Sequence, residues 1–450
     1  MRKFHPFPIE NIEAFKQQLL AIANHVKHFC YLDSNNYPNY PYSTFGSFFA
    51  IDAIDSISVN ENCLAQLEAF QQKHNDWLFG FLNYDLKNEI EPDCQVKQDV
   101  ITHSMRQPKI DNIQNPLLHF FVPKYLIKIE NEKVEIGLRC ESENESESVL
   151  IEFKNLLNFK ILKSEISNQI PITIGTEISN RISKQDYITI IENIKQDIQF
   201  GDIYEMNFCQ EFYAENATIQ PIKVFQKLNE ISKAPFSCYF KNDTNHLMCA
   251  SPERFLKRQN NTLISQPIKG TRKRIQDKQQ DRNIKQELFF DEKERSENVM
   301  IVDLVRNDFS KIAIKSSVEV EELFGIYTFE QVHQMISTIT CNIPKNLAFS
   351  DIIKAIFPMG SMTGAPKIAA MQLIEQYEPT KRGLFSGAVG YITPKGNFDF
   401  NVVIRSILYN EQNKYVSIQT GSAITIDCDA EKEYEECLLK AKAMLEALQP

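Results

Sequence analysis

The sequence predicts an α+β fold with largely antiparallel sheet, and three observations carry that prediction. Segments such as HLMCASP, NTLISQP, AVGYITP and KYVSIQT alternate apolar and polar residues over strand length. A long amphipathic helix with both ends marked lies among them. Strands and helices do not follow one another in a regular βαβ rhythm, and no internal repeat is visible, a mixture that points to α+β rather than alternating α/β.

Taken in chain order, the first clear element is a β-hairpin. VPKYLIKIENEKVEIGL, within Phe120 to Leu138, alternates on both sides of a turn at Asn131. The acidic run Glu141 to Ser148 follows and reads as a solvated loop or a helix start. Ser164 to Arg181 is polar, carries Pro171 and lacks helical period, so it is the candidate boundary between a region spanning 1–170 and one spanning 183–446. Directly after it Ser183, with Asp186 three residues on, resembles a capping box. Tyr187, Ile190, Ile191, Ile194 and Ile198 form the apolar stripe, and Gly201 stops the helix.

Length and composition narrow the class. At 450 residues the chain allows roughly three domains or fewer interlocked units, with ample material for a core. A net charge of -10 without a dense Lys/Arg block argues against nucleic-acid binding. The 10 cysteines, scattered from Cys30 to Cys437 without a CxxC pair or zinc spacing, read as reduced core residues of a cytoplasmic protein. MRKFHPFPIE has no signal-peptide core, and no apolar run approaches the roughly 20 residues that span a bilayer, so no membrane role is expected.

Four places carry potential chemistry. Lys269 lies in QPIKGT, between a proline and a glycine, where a lysine is either a solvated turn residue or a reactive amine. Glu297 lies at the polar entrance of a helix whose cluster from Val299 to Val305 is dense enough to predict that it is mostly buried. Glu436 lies in the last helix, which Asp429 can cap and in which Tyr434, Leu438, Ala441 and Leu445 face the core, with Lys440 one turn beyond. Such glutamates are either solvated and paired at i,i+4 or, converging from distant helices, ligands for Mg²⁺. FPMGSMTGAPK sets Gly360, Ser361, Thr363 and Gly364 before a helix, either a plain turn or an anion site, and it lacks the P-loop spacing.

In this order the segments GDIYEMNFCQ, SPERF, QPIKGT, DEKERSENVMIVDLVRND, QVHQMIST, FPMGSMTGAPK, RGLFSGAVGY, NVVIRS, TGSAIT and EYEECLLKAKAM resemble the chorismate-utilising enzymes, and most closely the aminodeoxychorismate synthases among them. YLDSNNYPNYPYSTF and WLFGFLNYDL extend a fainter likeness into the N-terminal part. The resemblance implies two large antiparallel sheets flanked by helices, with the active site in a cleft of the C-terminal half. It implies Mg²⁺ on Glu297 and Glu436 binding the ring carboxylate of chorismate, and Arg405, Tyr391 and the backbone around Gly421 holding the other carboxylate, with Thr363, Gly364 and Lys440 also lining the substrate site.

It further implies that Lys269 adds at C2 of chorismate, expelling the C4 hydroxyl, before ammonia enters at C4; relatives that aminate at C2 generally read PIAGT there. Nucleophilic attack needs a free amine, so a lowered lysine pKa is expected. Glu253 in SPERF matches the acid that protonates the departing hydroxyl, and His333 matches the family's active-site histidine. Ser34 matches an element that binds tryptophan in relatives. Where many relatives read GGGI, this chain has Gly421-Ser422-Ala423-Ile424, whose side chains are expected to narrow the carboxylate turn. Ammonia is expected from a separate glutamine amidotransferase subunit, for synthesis of the 4-aminobenzoate precursor of folate. The alternatives are anthranilate synthase component I and a catalytically silent chorismate-binding subunit.

Overall fold

The computed structural model describes residues 2–37, 42–43, 46–94, 108–140, 145, 147–157 and 177–449. Most of the acidic run and of the candidate boundary segment lies outside these residues. The main strands are Arg2–Pro6 (β1), His28–Asp33 (β2), Ser47–Val59 (β3), Leu78–Leu82 (β4), Leu118–Glu130 (β5), Lys133–Arg139 (β6), Glu205–Ala214 (β7), Phe236–Asn242 (β8) and Asn245–Ser251 (β9). Arg254–Gln259 (β10), Thr262–Gln266 (β11), Ile268–Lys273 (β12), Glu319–Thr328 (β13), Val332–Asn342 (β14), Ala388–Ile392 (β15), Phe398–Asn401 (β16), Ser406–Asn410 (β17) and Tyr415–Ile424 (β18) follow.

The main helices are Ile12–Ile22 (α1), Cys63–His74 (α2), Lys184–Phe200 (α3), Pro221–Ser232 (α4) and Lys278–Phe290 (α5). Glu292–Ser310 (α6), Phe349–Ile356 (α7), Lys367–Tyr377 (α8) and Ala430–Ala447 (α9) complete the set.

All pairings between these strands are antiparallel, and they form two arms that share β5. One arm runs β1–β6–β5–β3–β2–β8–β9–β17–β18–β7. The other runs β5–β4–β15–β16–β10–β11–β14–β13, with β12 also on β14. The start of β5 pairs with β4 and its end with β6, so the two expected sheets are one hydrogen-bonded network. The expected hairpin is β5–β6, closed by Asn131 and Glu132, both at positive φ (49° and 61°), as a two-residue primed turn requires.

A phenylalanine-rich core fills the space between the arms, with Phe120, Phe240, Phe349, Phe398 and Phe400 buried within it. Rings there meet at 5.0 to 5.4 Å, as in Phe349 against Phe398 and Phe400. A second cluster lies under α1, α4 and the end of α9. A third packs α3, α8 and α9 against β7 and β18.

The α3 caps form as the sequence predicts: Ser183 accepts from the Asp186 N–H, and Gly201 ends the helix at φ 89°. Two helix faces differ from expectation. α6 buries one face only, Ile301, Val302, Val305 and Phe309, and leaves Val299 exposed. α9 buries Tyr434, Cys437, Ala441 and Met444 but exposes Leu438, because Glu433 and Cys437 take the inward positions on the turns that face β18. No described helix is long and apolar enough to cross a membrane.

Candidate active site

Lys269 does not sit in a turn. It lies on β12, where the register against β14 shifts between Ile268 and Thr271 and Gly270 takes φ 93°. A glycine bulge of this kind re-aims the neighbouring side chain, here inward to 11% exposure. Its ammonium donates to Glu205 Oε1 at 2.8 Å and stands 3.9 Å from Glu297 Oε2.

Glu205 opens β7, Glu297 is one turn into α6, and Glu436 is on α9, so three distant elements bring acids to one lysine. Lys293 joins them, 3.8 Å from Glu297 and 4.0 Å from Glu433, while Lys440 is 2.6 Å from Glu436 and donates to the Gly421 carbonyl at 2.7 Å. Sequence reasoning singled out neither Glu205 nor Glu433. The available signal for Glu205 was period two: Glu205, Asn207 and Glu211 put polar groups on one face of a buried strand.

These charges shift one another. Burial raises Glu297 to about 7, against the pull of Lys269. Burial also works to raise Glu436, but Lys440 and Lys269 hold it below its usual range. For Lys269, burial works to lower the pKa, and Glu205 and Glu297 outweigh it, so the amine is raised well above its ordinary value. This corrects the expectation of a lowered lysine pKa: in the chain alone the site's carboxylates keep the proton on.

Arg405 supplies the opposite charge. Its backbone holds φ 52°, a left-handed conformation that costs a non-glycine residue about 1 to 3 kcal/mol and is kept where the surroundings demand it. The guanidinium donates to the Lys440 carbonyl at 3.0 Å and has no carboxylate within ion-pair distance among the described residues. Burial lowers its pKa, with Glu436 opposing. A half-buried guanidinium without an ion pair among the described residues suits an anionic ligand.

Glu253 lies between β9 and β10, 5% exposed. Burial pushes its carboxyl up to about 7, opposed by the Ser361 hydroxyl and the charge of Lys269. Lys269, Glu205, Glu297, Glu436, Lys440, Arg405 and Glu253 are therefore linked through contacts or fields that the structure shows.

The other expected residues stand apart or in different roles. His333 is buried at the start of β14, with Nε2 3.1 Å from Asp281 Oδ1 and Nδ1 3.0 Å from Thr328 Oγ1. The Thr363 hydroxyl donates to the Met359 and Gly360 carbonyls, and Gly364 pairs with Met206 on β7. Tyr391 packs its ring against Phe48, Trp77 and Phe79.

Gly421 lies in strand β18, not in a turn, and a Cβ there would meet Cys209 Sγ at 2.4 Å. Ser422 is buried toward Tyr187, so only Ala423 shares the Gly421 face. Ser34 is buried in the turn after β2, where its hydroxyl accepts from the Asn36 N–H.

The model of the chorismate binding enzyme family matches residues 27–446. The chain belongs to that family. Among curated relatives, the Synechocystis "anthranilate synthase component I-like protein" is 31% identical over 84% of this chain and 73% of its own length. Aminodeoxychorismate synthase component 1 of Escherichia coli is 35% identical over 63% of this chain and 62% of its own length, and that of Bacillus subtilis 28% identical over 82% and 76%.

Two solved members share the fold. Anthranilate synthase component I from Streptococcus pneumoniae superposes with a TM-score of 0.74 at 24% identity, covering 91% of this chain and 95% of its own. The menaquinone-specific isochorismate synthase of Escherichia coli gives 0.75 at 17%, covering 100% and 94%. This member of the family thus has the expected α+β architecture, and its charged cluster lies in the matched region.

Proposed function

We propose that the chain aminates chorismate at C4, giving 4-amino-4-deoxychorismate, with ammonia delivered by a separate glutamine amidotransferase subunit. The observation that carries this reading is Lys269, an amine inside a cluster of site carboxylates with Glu253 coupled to it by charge. In the first step the Lys269 ammonium gives its proton to water, the freed nitrogen bonds to C2, the two ring double bonds shift, and the C4–O bond breaks. Glu253 gives its proton to the departing hydroxyl, which leaves as water. Ammonia then bonds to C4, the double bonds shift back, and the C2–N bond to Lys269 breaks, returning the lysine.

The dicarboxylate needs cationic seats, and Arg405, half-buried and without an ion pair among the described residues, is the one for a side-chain carboxylate. Glu297 and Glu436 would hold Mg²⁺. The donors are all hard oxygens, which suits an ion that keeps water and substrate oxygens in its shell. When bound, Mg²⁺ would fix the ring carboxylate, draw electrons from the ring and cancel two of the charges that hold the proton on Lys269.

The test is to incubate the purified chain with chorismate, Mg²⁺ and an ammonium salt and identify the product by mass and by its response to an added lyase. The expected product is the C4 amine; anthranilate as the main product would sink the reading. Lys269→Ala should lose C4 amination, and unchanged C4 product would remove the covalent role. Excess EDTA should stop turnover, whereas full activity in chelator would take Glu297 and Glu436 out of metal binding.

A further inference from the structure

A lysine stem has four rotatable bonds, so an amine that must meet one ring carbon has to be aimed by something else. Glu205 is the group in position to do it. Its Oε1 accepts from Lys269 at 2.8 Å, while Glu297, at 3.9 Å, is beyond hydrogen-bonding distance. Glu205 is 1% exposed, and its second oxygen, Oε2, is buried without a hydrogen-bond partner among the described residues. Buried acceptors are seldom left unpaired, and one beside a paired acceptor offers the same ammonium a second place to bond.

The backbone that carries Glu205 is clamped by the glycine-containing segment before α8. Glu205 pairs with Ala365 and Met206 with Gly364. Tyr204 N–H donates to the Ala365 carbonyl and Asn207 N–H to the Thr363 carbonyl, each at 2.7 Å, and the Asn207 amide donates to the Ser361 carbonyl at 2.6 Å. A Cβ on Gly364 would lie 2.1 Å from the Glu205 carbonyl oxygen, so only glycine permits this approach.

We infer that Glu205 is the positioning residue for the Lys269 nucleophile, holding the amine through one carboxylate oxygen and passing it to the other as it moves onto the ring. Glu205 acts through the lysine and touches no reacting carbon. The inference rests on the proposed C4 amination.

The experiment compares wild type, Glu205→Ala and Glu205→Gln with chorismate, Mg²⁺ and ammonium, recording kcat, the chorismate KM and the ratio of C4-aminated to C2-aminated product. Circular dichroism and a chorismate-binding titration confirm that each variant is folded. Should Glu205→Ala not fold, Glu205→Met fills the same volume without an acceptor. The alanine variant should lose about 100-fold in kcat, the size of effect that misplacing a reacting group produces, with KM within about 2-fold and a larger C2 share. Glu205→Gln keeps an oxygen acceptor and should recover most of the rate and the C4 preference. An alanine variant equal to wild type in rate and ratio overturns the inference, and so do alanine and glutamine variants impaired alike. Wild type that makes no C4 amine overturns instead the reading beneath it, so the two failures are told apart.

Discussion

Glu253 shows how burial alone can prepare a group for its task. A carboxyl near 4.5 would be ionised at neutral pH and useless as a proton donor, but burial moves this one to about 7, where half the molecules keep the proton. The sign follows directly: the acid is competent below its pKa, so kcat/KM should fall as pH rises through about 7, an alkaline limb belonging to the free enzyme. Glu253→Gln, which can never give up a proton, should leave chorismate binding intact and remove turnover. A flat kcat/KM profile between pH 6 and 8.5, measured with ammonia held at constant free-base concentration, would take Glu253 out of the acid role. Lys269 behaves oppositely because its neighbours are acids: charge outweighs burial and the proton stays. Neither outcome is written in SPERF or QPIKGT, since each depends on partners far away in sequence.

Elements were legible where their determinants are local. The Ser183 and Asp429 caps and the Asn131 turn each close within a few residues, and each forms as read. The face of α9 was not, since 3.6-residue periodicity allows more than one stripe and packing on β18 selected Cys437 over Leu438. FPMGSMTGAPK was legible as a turn or anion site before a helix but not as a clamp, because its partner is β7, far earlier in the chain. That role makes a prediction at this scale. Gly364→Ala should push β7 away and disturb Glu205, lowering kcat about 100-fold while α8 and the overall circular dichroism persist. Wild-type kcat in a folded Gly364→Ala enzyme would show that the segment does not set the position of Glu205.

At the scale of the molecule, the N-terminal residues and the site-bearing residues are woven into one sheet network. β2 pairs with β8, and β4 pairs with β15. At that second junction Gly80 faces Gly390, and each glycine lets a phenylalanine ring, Phe120 or Phe400, lie against the strand. Trp77, the chain's single tryptophan, stacks there on Tyr391 with centroids 5.5 Å apart, one ring from each region. A boundary near residue 170 is therefore proposed as a division of sequence but not of folding, and the fluorescence of one residue can test this. Thermal unfolding followed by Trp77 emission should have the same midpoint as unfolding followed by far-UV circular dichroism. A Cβ at position 390 would come 2.1 Å from the Asp399 carbonyl oxygen, so Gly390→Ala should cost about 1 to 3 kcal/mol and lower both midpoints together. If Trp77 is released at a lower temperature than the helices and strands, or if Gly390→Ala shifts the fluorescence midpoint alone, the N-terminal strands unfold as a unit of their own.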